Sequence, residues 1–302
     1  MSVNQNSINQ SIWQDMILSK LNDLKQLVKF GLTTFVVISS VVGYLMASNG
    51  PLQFSQLFFL IAGGFFITGS ANALNQIIEK DFDSLMIRTA NRPLPTGRMS
   101  VTEAIIWAGC MGVGGILLLA LFNQLTALLG AASLIIYAFI YTPLKRVTPL
   151  SVAVGAIPGA LPAMIGCIAL QGKITLLALT LFGIQFFWQF PHFWSIGWLG
   201  FDQYKMAGFN IMPLPSNERD HSIGMYSMIY ALFLIPISLM FLFIPGVSNL
   251  AIGLLCLADM GFAVAAFNLF KHNDQGSARR LLFASLIYLP LIQIILLIDK
   301  WI

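Results

Sequence analysis

Long apolar segments separated by short polar stretches dominate the pattern of this chain. Each segment is roughly 17–25 residues long, the length that a helix needs to cross the hydrocarbon core of a bilayer. The pattern therefore predicts an all-α membrane protein. Nine membrane-spanning helices are predicted, at about 28–47, 57–78, 102–122, 125–141, 151–170, 174–198, 226–245, 249–270 and 280–298.

The lysines and arginines between the segments predict how the protein lies in the membrane. With nine spans, one side carries Lys20, Lys25, Lys29, Lys80, Arg88, Arg92, Arg98, Lys145, Arg146, Lys205, Arg219, Lys271, Arg279 and Arg280. Only Lys173 and Lys300 fall on the other side. Because positively charged loops stay in the cytoplasm, we expect the N-terminus and the long loops there and the C-terminus on the opposite side.

The composition excludes a soluble protein. Of the 302 residues, 57% are hydrophobic and 9% are charged, so residues 25–302 are expected to form a single transmembrane domain in the lipid bilayer. The polar residues 1–24 lack the pattern of a signal peptide and are expected to form a disordered tail. The net charge of +4 follows from orientation in the membrane, and no nucleic-acid partner is expected.

Charged residues are concentrated in residues 75–98, after the second predicted span. Asn75, Glu79 and Asp83 recur every four residues, and residues with this spacing line one face of a helix. Two stacked carboxylates require a cation, and hard oxygen ligands suit Mg²⁺. The alternative is an ordinary charged loop in which the two acids balance neighbouring arginines.

Several cations near these acids suit the oxygens of a diphosphate. Arg88, Arg92 and Arg98 follow the acids, and Lys145 and Arg146 follow the fourth span. For the last two, a role as positively charged membrane anchors is the alternative. Acids and arginines at a membrane edge together suggest a metal-bound diphosphate whose isoprenyl tail lies among the apolar helices.

A second unusual stretch, residues 186–210, ends the sixth predicted span. His192 lies there among aromatic residues that include Trp188, and an ionisable group inside a span usually faces a cavity or a partner. Two alternatives remain open for His192, a contact with the substrate and a hydrogen bond between helices.

The residues that follow this span predict a second half of the same site. Asp202, Tyr204 and Lys205 lie at the predicted water boundary and lead into a long loop, as the first acidic cluster does after the second span. Asp259 is a further acid, inside the eighth span. It is either a hydrogen-bonding residue between helices or a group that lines the site.

Four linked motifs resemble the UbiA superfamily of membrane prenyltransferases over about residues 25–298. The motifs are Asn75-x-x-x-Glu79-x-x-x-Asp83 with Arg88-Thr89-x-Asn91-Arg92-Pro93-Leu94, Tyr141-Thr142-Pro143-Leu144-Lys145-Arg146, Trp188-Gln189-x-Pro191-His192-Phe193, and Asp202-x-Tyr204-x-x-Ala207-Gly208 with Met212-Pro213. They are most similar to the branch that farnesylates haem. Many relatives carry a second DxxxD motif, but Met206 follows Asp202 here, so only one acid is implied in the second half.

The resemblance implies a UbiA-type bundle of nine helices whose active site opens at the cytoplasmic side of a bacterial inner membrane. The implied reaction transfers the farnesyl group of farnesyl diphosphate to a vinyl group of haem B, with addition of water, and gives haem O and diphosphate. Haem A synthase and terminal oxidase assembly factors are the implied protein partners, although no residue of the chain indicates such a contact.

The resemblance also implies roles for the candidate residues. Mg²⁺ is held by Asn75, Glu79 and Asp83, which with Asp202 form the catalytic set. The diphosphate is bound by Arg88, Arg92, Lys145, Arg146 and Lys205. The candidates for contacting haem are His192, Trp188 and Tyr204.

Two other functions are considered. A related enzyme would prenylate an aromatic quinone precursor, but the Trp188–Phe193 motif argues against it. A transporter would carry polar sites at mid-membrane in both halves, whereas the charges here cluster at one membrane face.

Overall fold

The computed structural model describes residues 5–213, 219 and 221–302, with side chains from residue 13 onward. Within these residues every regular element is helical, as predicted. The α-helices are α1 (Gln5–Leu27), α2 (Phe30–Ala47), α3 (Phe54–Ile78), α4 (Lys80–Asp83), α5 (Val101–Ala120), α6 (Gln124–Ile135), α7 (Thr142–Leu144), α8 (Ser151–Gln171), α9 (Leu176–Leu199), α10 (Phe201–Met206), α11 (Ser222–Leu232), α12 (Leu234–Leu239), α13 (Asn249–His272) and α14 (Gln275–Trp301). A π-helical segment, Ile136–Tyr141, joins α6 to α7, and a 3₁₀ segment, Met240–Phe243, follows α12.

The described residues contain nine helical segments long and apolar enough to cross a membrane, in agreement with the predicted number. These segments are Phe30–Ala47, Phe54–Ile78, Val101–Ala120, Gln124–Leu144, Ser151–Gln171, Leu176–Leu199, Ser222–Phe243, Asn249–His272 and Gln275–Trp301. The largest difference from the prediction is at the last helix, which begins at Gln275 instead of 280. Asp274 begins this helix because its carboxylate accepts a 2.6 Å hydrogen bond from the Ser277 backbone.

Helix α1 occupies the stretch where the sequence predicted a disordered tail through residue 24, of which residues 1–4 lie outside the described residues. Its C-terminal end is attached to the bundle. Asp23 forms an ion pair of 2.8 Å with Arg98, and the Gln76 side chain donates to the carbonyl groups of Gln26 and Leu27. Tertiary contacts of this kind stabilise a helical segment at its C-terminal end.

Helix α8 lies at the centre of the bundle and is largely buried. Its backbone touches that of α2, because a Cβ atom on Gly166 would collide with the Ser40 carbonyl and one on Gly43 with the Ala163 carbonyl. Small residues permit such close contact between membrane helices. The contact fixes α2, and with it Lys29, which directly precedes α2.

Contacts between helix ends define two faces of the bundle. On one face Lys145 pairs with Glu79, and Trp198 Nε1 donates to Asn273 Oδ1 at 3.0 Å. On the other face Lys300 donates to Asn49 Oδ1 at 3.1 Å. We call the first the loop face, because residues 79–100 and residues 200–213 of the second long connection belong to it.

Asp259 is a hydrogen-bonding residue between helices, which is the first of its two predicted alternatives. Its Oδ1 atom on α13 accepts a 2.5 Å hydrogen bond from the Tyr288 hydroxyl on α14, and both side chains are buried. Such a bond joins two helices where no water is available to the polar groups.

Candidate active site

Three side chains form the inner cluster, Asn75, Glu79 and Asp83, at the loop-face end of α3. All three are buried, with at most 5% of the residue exposed. Helix α3 ends at Ile78, and Glu79 has φ −95° and ψ 6°. The i to i−4 bonding nevertheless continues, from Glu79 N to Asn75 O at 3.0 Å and from Asp83 N to Glu79 O at 2.8 Å. The four-residue spacing therefore keeps the three side chains close although the helix is interrupted.

Basic residues neutralise both acids of the inner cluster. Glu79 forms an ion pair with Lys145, and Asp83 Oδ2 lies 2.5 Å from a guanidinium nitrogen of Arg92. Burial raises the pKa of Asp83 above its ordinary value, and Arg92 opposes that shift. The second oxygen, Asp83 Oδ1, is buried without a hydrogen-bond partner. A buried carboxylate oxygen in this state is available to a cation.

Lys29 belongs to the site although the sequence indicated only a charge that orients the membrane protein. Its Nζ atom donates a 3.0 Å hydrogen bond to Asn75 Oδ1. Its backbone is left-handed, with φ 48°, at the junction of α1 and α2. Removal from water, together with the nearby charges of Arg92 and Lys145, lowers the pKa of Lys29 to about 7, and Glu79 and Asp83 oppose this shift. A lysine directly before an apolar span was the only signal in the sequence.

The π-helical segment places a further partner of Asn75. Thr142 Oγ1 accepts a 3.0 Å hydrogen bond from Asn75 Nδ2 and donates to the Tyr137 carbonyl at 2.8 Å. Asn75 Nδ2 also donates to Glu79 Oε2 at 2.9 Å. These bonds hold the amide in one orientation, with its oxygen toward Lys29. Local π-helical turns often occur at functional sites.

The remaining predicted diphosphate ligands lie further out. Arg88 and Arg146 are exposed, and the Arg146 guanidinium lies 4.0 Å from the centroid of the Phe82 ring. Arg88 donates to the Tyr204 hydroxyl at 3.4 Å. Lys205 is exposed on α10. Arg98 pairs with Asp23 and not with an acid of the inner cluster, so no contact in the structure supports the suggestion that it binds phosphate.

Asp202 is not brought into the inner cluster. Its carboxylate is 76% exposed and pairs with Arg219 at 2.8 Å, and Arg219 also donates to the Trp198 carbonyl at 3.1 Å. Tyr204, two residues later, connects this loop to Arg88.

His192 faces α14, where it meets Ser285. The Ser285 hydroxyl donates its proton to the Leu282 carbonyl at 2.6 Å, so it accepts at 2.8 Å from His192 Nδ1. The lone pair of His192 is then on Nε2, which has no hydrogen-bond partner among the described residues. Trp188 stacks on the imidazole at 4.9 Å and donates to the Ser285 carbonyl. His192 therefore makes the predicted contact between helices and keeps one nitrogen available.

The inner cluster fits Mg²⁺ only in the presence of further ligands. Among the described residues there is no group of three His, Cys, Asp or Glu side chains that could hold a metal. The cluster offers two carboxylates and one amide oxygen, and Asp83 Oδ1 is unpartnered. Mg²⁺ usually takes one or two carboxylates and completes its shell with water and substrate phosphate. The donor set suits a cation that is shared with a phosphate group.

The bundle holds buried acids and paired cations at its loop face. This arrangement is the one expected of a membrane prenyltransferase. The profile of the UbiA prenyltransferase family matches residues 36–287, and the chain belongs to that family. Its relatives carry a more particular name. The chain is 44% identical over 291 residues to the protoheme IX farnesyltransferase of Christiangramia forsetii, covering 94% of this chain and 95% of the relative.

Other relatives carry the same name. The protoheme IX farnesyltransferase of Flavobacterium psychrophilum is 43% identical over 297 residues, covering 94% of this chain and 96% of the relative. The mitochondrial protoheme IX farnesyltransferase of Arabidopsis thaliana is 36% identical, covering 91% of this chain and 64% of that protein.

Solved structures support the same fold. A digeranylgeranylglyceryl phosphate synthase superposes with a TM-score of 0.80 at 16% identity, covering 94% of this chain and all of that chain. A UbiA homolog from Archaeoglobus fulgidus bound to GPP and Mg²⁺ superposes with a TM-score of 0.68 at 14% identity, covering 91% and 99% of the two chains. The predicted UbiA-type bundle is confirmed.

Proposed function

We propose that this protein transfers the farnesyl group of farnesyl diphosphate to a vinyl group of haem B, with addition of water, and releases haem O and diphosphate. The observation that carries the proposal is the buried inner cluster with its paired cations, in a chain 43–44% identical to proteins named protoheme IX farnesyltransferase. The haem O would pass to haem A synthase or to a terminal oxidase, the partners that the family resemblance implies.

The proposal includes an orientation. Residues 25–302 act as one prenyltransferase domain in a bacterial inner membrane, with the loop face and the N-terminus in the cytoplasm and the C-terminus opposite. The support is the distribution of charge, because 14 of the 16 lysines and arginines precede the first span, belong to loop-face connections or lie at the loop-face ends of spans. Both substrates are then taken up from the cytoplasmic side of the bilayer.

Each residue of the inner site has a role in binding the diphosphate. Asn75, Glu79 and Asp83 would hold Mg²⁺, which neutralises negative charge on the departing diphosphate. Arg92 and Lys145 bind its oxygens, and Lys29 adds a third cation on the side of Asn75. Lys205 adds a contact at the outer edge of the site.

The apolar helices receive the farnesyl tail, and the reaction takes place where the tail meets the diphosphate. The bond between C1 of the farnesyl group and the diphosphate oxygen breaks, and the electron pair leaves with the diphosphate. The vinyl π electrons of haem form the new bond to C1. The resulting cation takes a hydroxyl group from water, and the second proton of the water is released. The apolar surroundings limit water to this last step.

The second half of the site contacts haem. His192 offers the Nε2 lone pair to the haem iron or to another polar group of haem, with Trp188 stacked on its ring and Ser285 fixing its tautomer. Tyr204 contacts haem at the loop face, and Asp202 supplies the catalytic acid of this half.

A product assay tests the proposal. Purified protein in detergent is incubated with haem B, farnesyl diphosphate and Mg²⁺. The haem products are separated by chromatography and identified by mass spectrometry. We expect a Mg²⁺-dependent haem O product with the parent protein. Glu79→Ala and Asp83→Ala should abolish it, whereas Asp81→Ala should not, because Asp81 is an exposed acid on the same turn.

Other outcomes would redirect the assignment. Prenylation of an aromatic quinone precursor, with no haem product from folded protein, would keep the enzyme class and replace the acceptor. Failure to prenylate any acceptor from any allylic diphosphate would favour the transporter.

A further inference from the structure

A continuous row of aromatic rings ends in an arginine on each side; we call it the outer row. The Arg146 guanidinium lies 4.0 Å from the centroid of the Phe82 ring. The Phe82 and Phe209 rings meet edge to face at 6.3 Å, and the Phe209 and Tyr204 rings at 6.1 Å. The Tyr204 hydroxyl accepts from Arg88 at 3.4 Å. Residues from three separate loop-face segments therefore form one surface.

The outer row lies against the inner cluster. Lys145 Nζ is 5.3 Å from the centroid of the Phe209 ring, and the same ammonium group pairs with Glu79. The backbone of Asn210, next to Phe209, donates to the Lys145 carbonyl at 2.6 Å. A molecule that contacts the outer row is thus one side chain away from the residues assigned to the diphosphate.

The two terminal arginines of the outer row differ from the neighbouring cations. Lys145 and Arg92 pair with acids of the inner cluster, and Arg219 pairs with Asp202. Within the described part of the chain, neither Arg88 nor Arg146 forms an ion pair, and both are exposed. A guanidinium group binds carboxylate and phosphate through paired N–H groups. The row therefore presents two anion-binding groups separated by apolar rings.

We propose that Arg88 and Arg146 bind the two carboxylates of the acceptor, while its planar ring system packs against Phe82 and Tyr204. The inference rests on the proposed function, in which these carboxylates are the propionates of haem B. It replaces the expectation that both arginines bind diphosphate, because Lys29, Arg92 and Lys145 already surround the inner cluster. Binding of the acidic edge at the loop face would direct the opposite, vinyl-bearing edge of haem into the bundle, toward the farnesyl group.

Esterified haem provides the test, because it lacks the carboxylate charges. Initial rates are measured with haem B and with its dimethyl ester, for the parent protein, Arg88→Gln, Arg146→Gln and the control Arg279→Gln, an exposed arginine of α14 at the loop face. We expect the KM for haem B to rise about tenfold in each site variant. The KM for farnesyl diphosphate should stay unchanged. With the ester, both site variants should match the parent protein.

The inference is overturned if the KM for farnesyl diphosphate rises instead, because the arginines would then bind diphosphate. It is also overturned if the KM rises equally for haem B and for its dimethyl ester in the variants. A rise that occurs only in bilayers of anionic lipid, and not in neutral detergent, overturns it as well. Arg146→Lys should restore part of the affinity, and equal melting temperatures exclude misfolding. If the parent protein forms no farnesylated haem, the proposed function fails, and the arginines are then tested by comparing equilibrium binding of haem B and of its dimethyl ester to the parent protein and the variants.

Discussion

Lys29 and Asn75 are joined by a hydrogen bond of 3.0 Å from Nζ to Oδ1, although they lie 46 positions apart in the chain. The bond connects the junction of α1 and α2 to the end of α3. Asn75 also donates to Glu79 and Thr142. Its amide thus has a partner for each hydrogen and for its oxygen, with the nitrogen toward Glu79 and the oxygen toward Lys29. Coordination of Mg²⁺ by Asn75 together with Glu79 would therefore require these bonds to be exchanged.

The pKa of Lys29 predicts that binding of the diphosphate takes up a proton. At pH 8 a lysine with a pKa of about 7 is mostly neutral, and a diphosphate beside it would favour the charged form and raise that pKa. We expect uptake approaching about one proton per site at pH 8, measured by calorimetry in two buffers of different ionisation enthalpy. Lys29→Met should lose the uptake, whereas Lys271→Met, an exposed lysine, should keep it. Equal uptake in the parent protein and Lys29→Met would assign the proton to another group.

The pair of Arg92 and Asp83 predicts a large effect on stability. Arg92→Met leaves the fully buried Asp83 carboxylate without its counter-charge, and removal of one partner from a buried pair costs about 3–5 kcal/mol. The loss should be smaller at low pH, because burial already raises the pKa of Asp83 and a protonated carboxyl group needs no cation. Unfolding midpoints in mild detergent measure the effect.

Two further variants complete this experiment. The double variant Asp83→Leu with Arg92→Met should recover most of the stability, since it removes both charges. Arg88→Met should cost less than about 1 kcal/mol, because Arg88 is exposed. A double variant as unstable as Arg92→Met would show that the arginine acts through packing alone.

The exposure of Asp202 separates catalysis from stability. Asp202 pairs with Arg219, and 76% of the Asp202 side chain is exposed. Exposed ion pairs contribute little to stability. Asp202→Asn should therefore leave the melting temperature unchanged and lower kcat by at least about tenfold if the acid is catalytic. Arg219→Gln breaks the same pair and keeps the acid. Equal losses of kcat in the two variants would mean that only the pair matters.

The bond from His192 to Ser285 predicts graded effects on haem binding. His192→Gln should abolish the shift of the haem absorption band that a nitrogen ligand causes. Ser285→Ala removes the group that fixes the tautomer, and loss of such an outer partner typically weakens a metal–ligand contact by about 10–100-fold. His272→Gln, an exposed histidine of α13, is the control. An unchanged spectrum in His192→Gln would remove His192 from the haem site.

Local patterns in the sequence predicted the spans and the inner cluster. An apolar run can be read directly along the sequence. The predicted ends of the nine spans therefore lie within five residues of the observed ends. The four-residue spacing brought Asn75 and Glu79 together even though α3 ends between them. Both patterns depend on neighbours along the chain, which a sequence displays directly.

Pairings between distant segments could not be predicted in this way. Arg98 looks like a phosphate ligand beside the other arginines, yet it binds Asp23 across 75 positions. Lys29 looks like a membrane anchor until α2 packs against α8 and brings it to Asn75. In each case the packing of the helices determines which residue becomes the partner. No spacing between residues in the sequence indicates that packing.

The ion pairs of the inner cluster make the two ligands depend on each other. Mg²⁺ alone would have to share the two acids with Lys145 and Arg92, and a diphosphate alone would have to draw the same two cations away. If both arrived, the carboxylates would be free to hold the metal and the released cations would be free to bind the diphosphate, so every charge would have a new partner. On the proposed roles, the inner cluster would bind the metal and the diphosphate cooperatively, and each ligand alone would bind weakly.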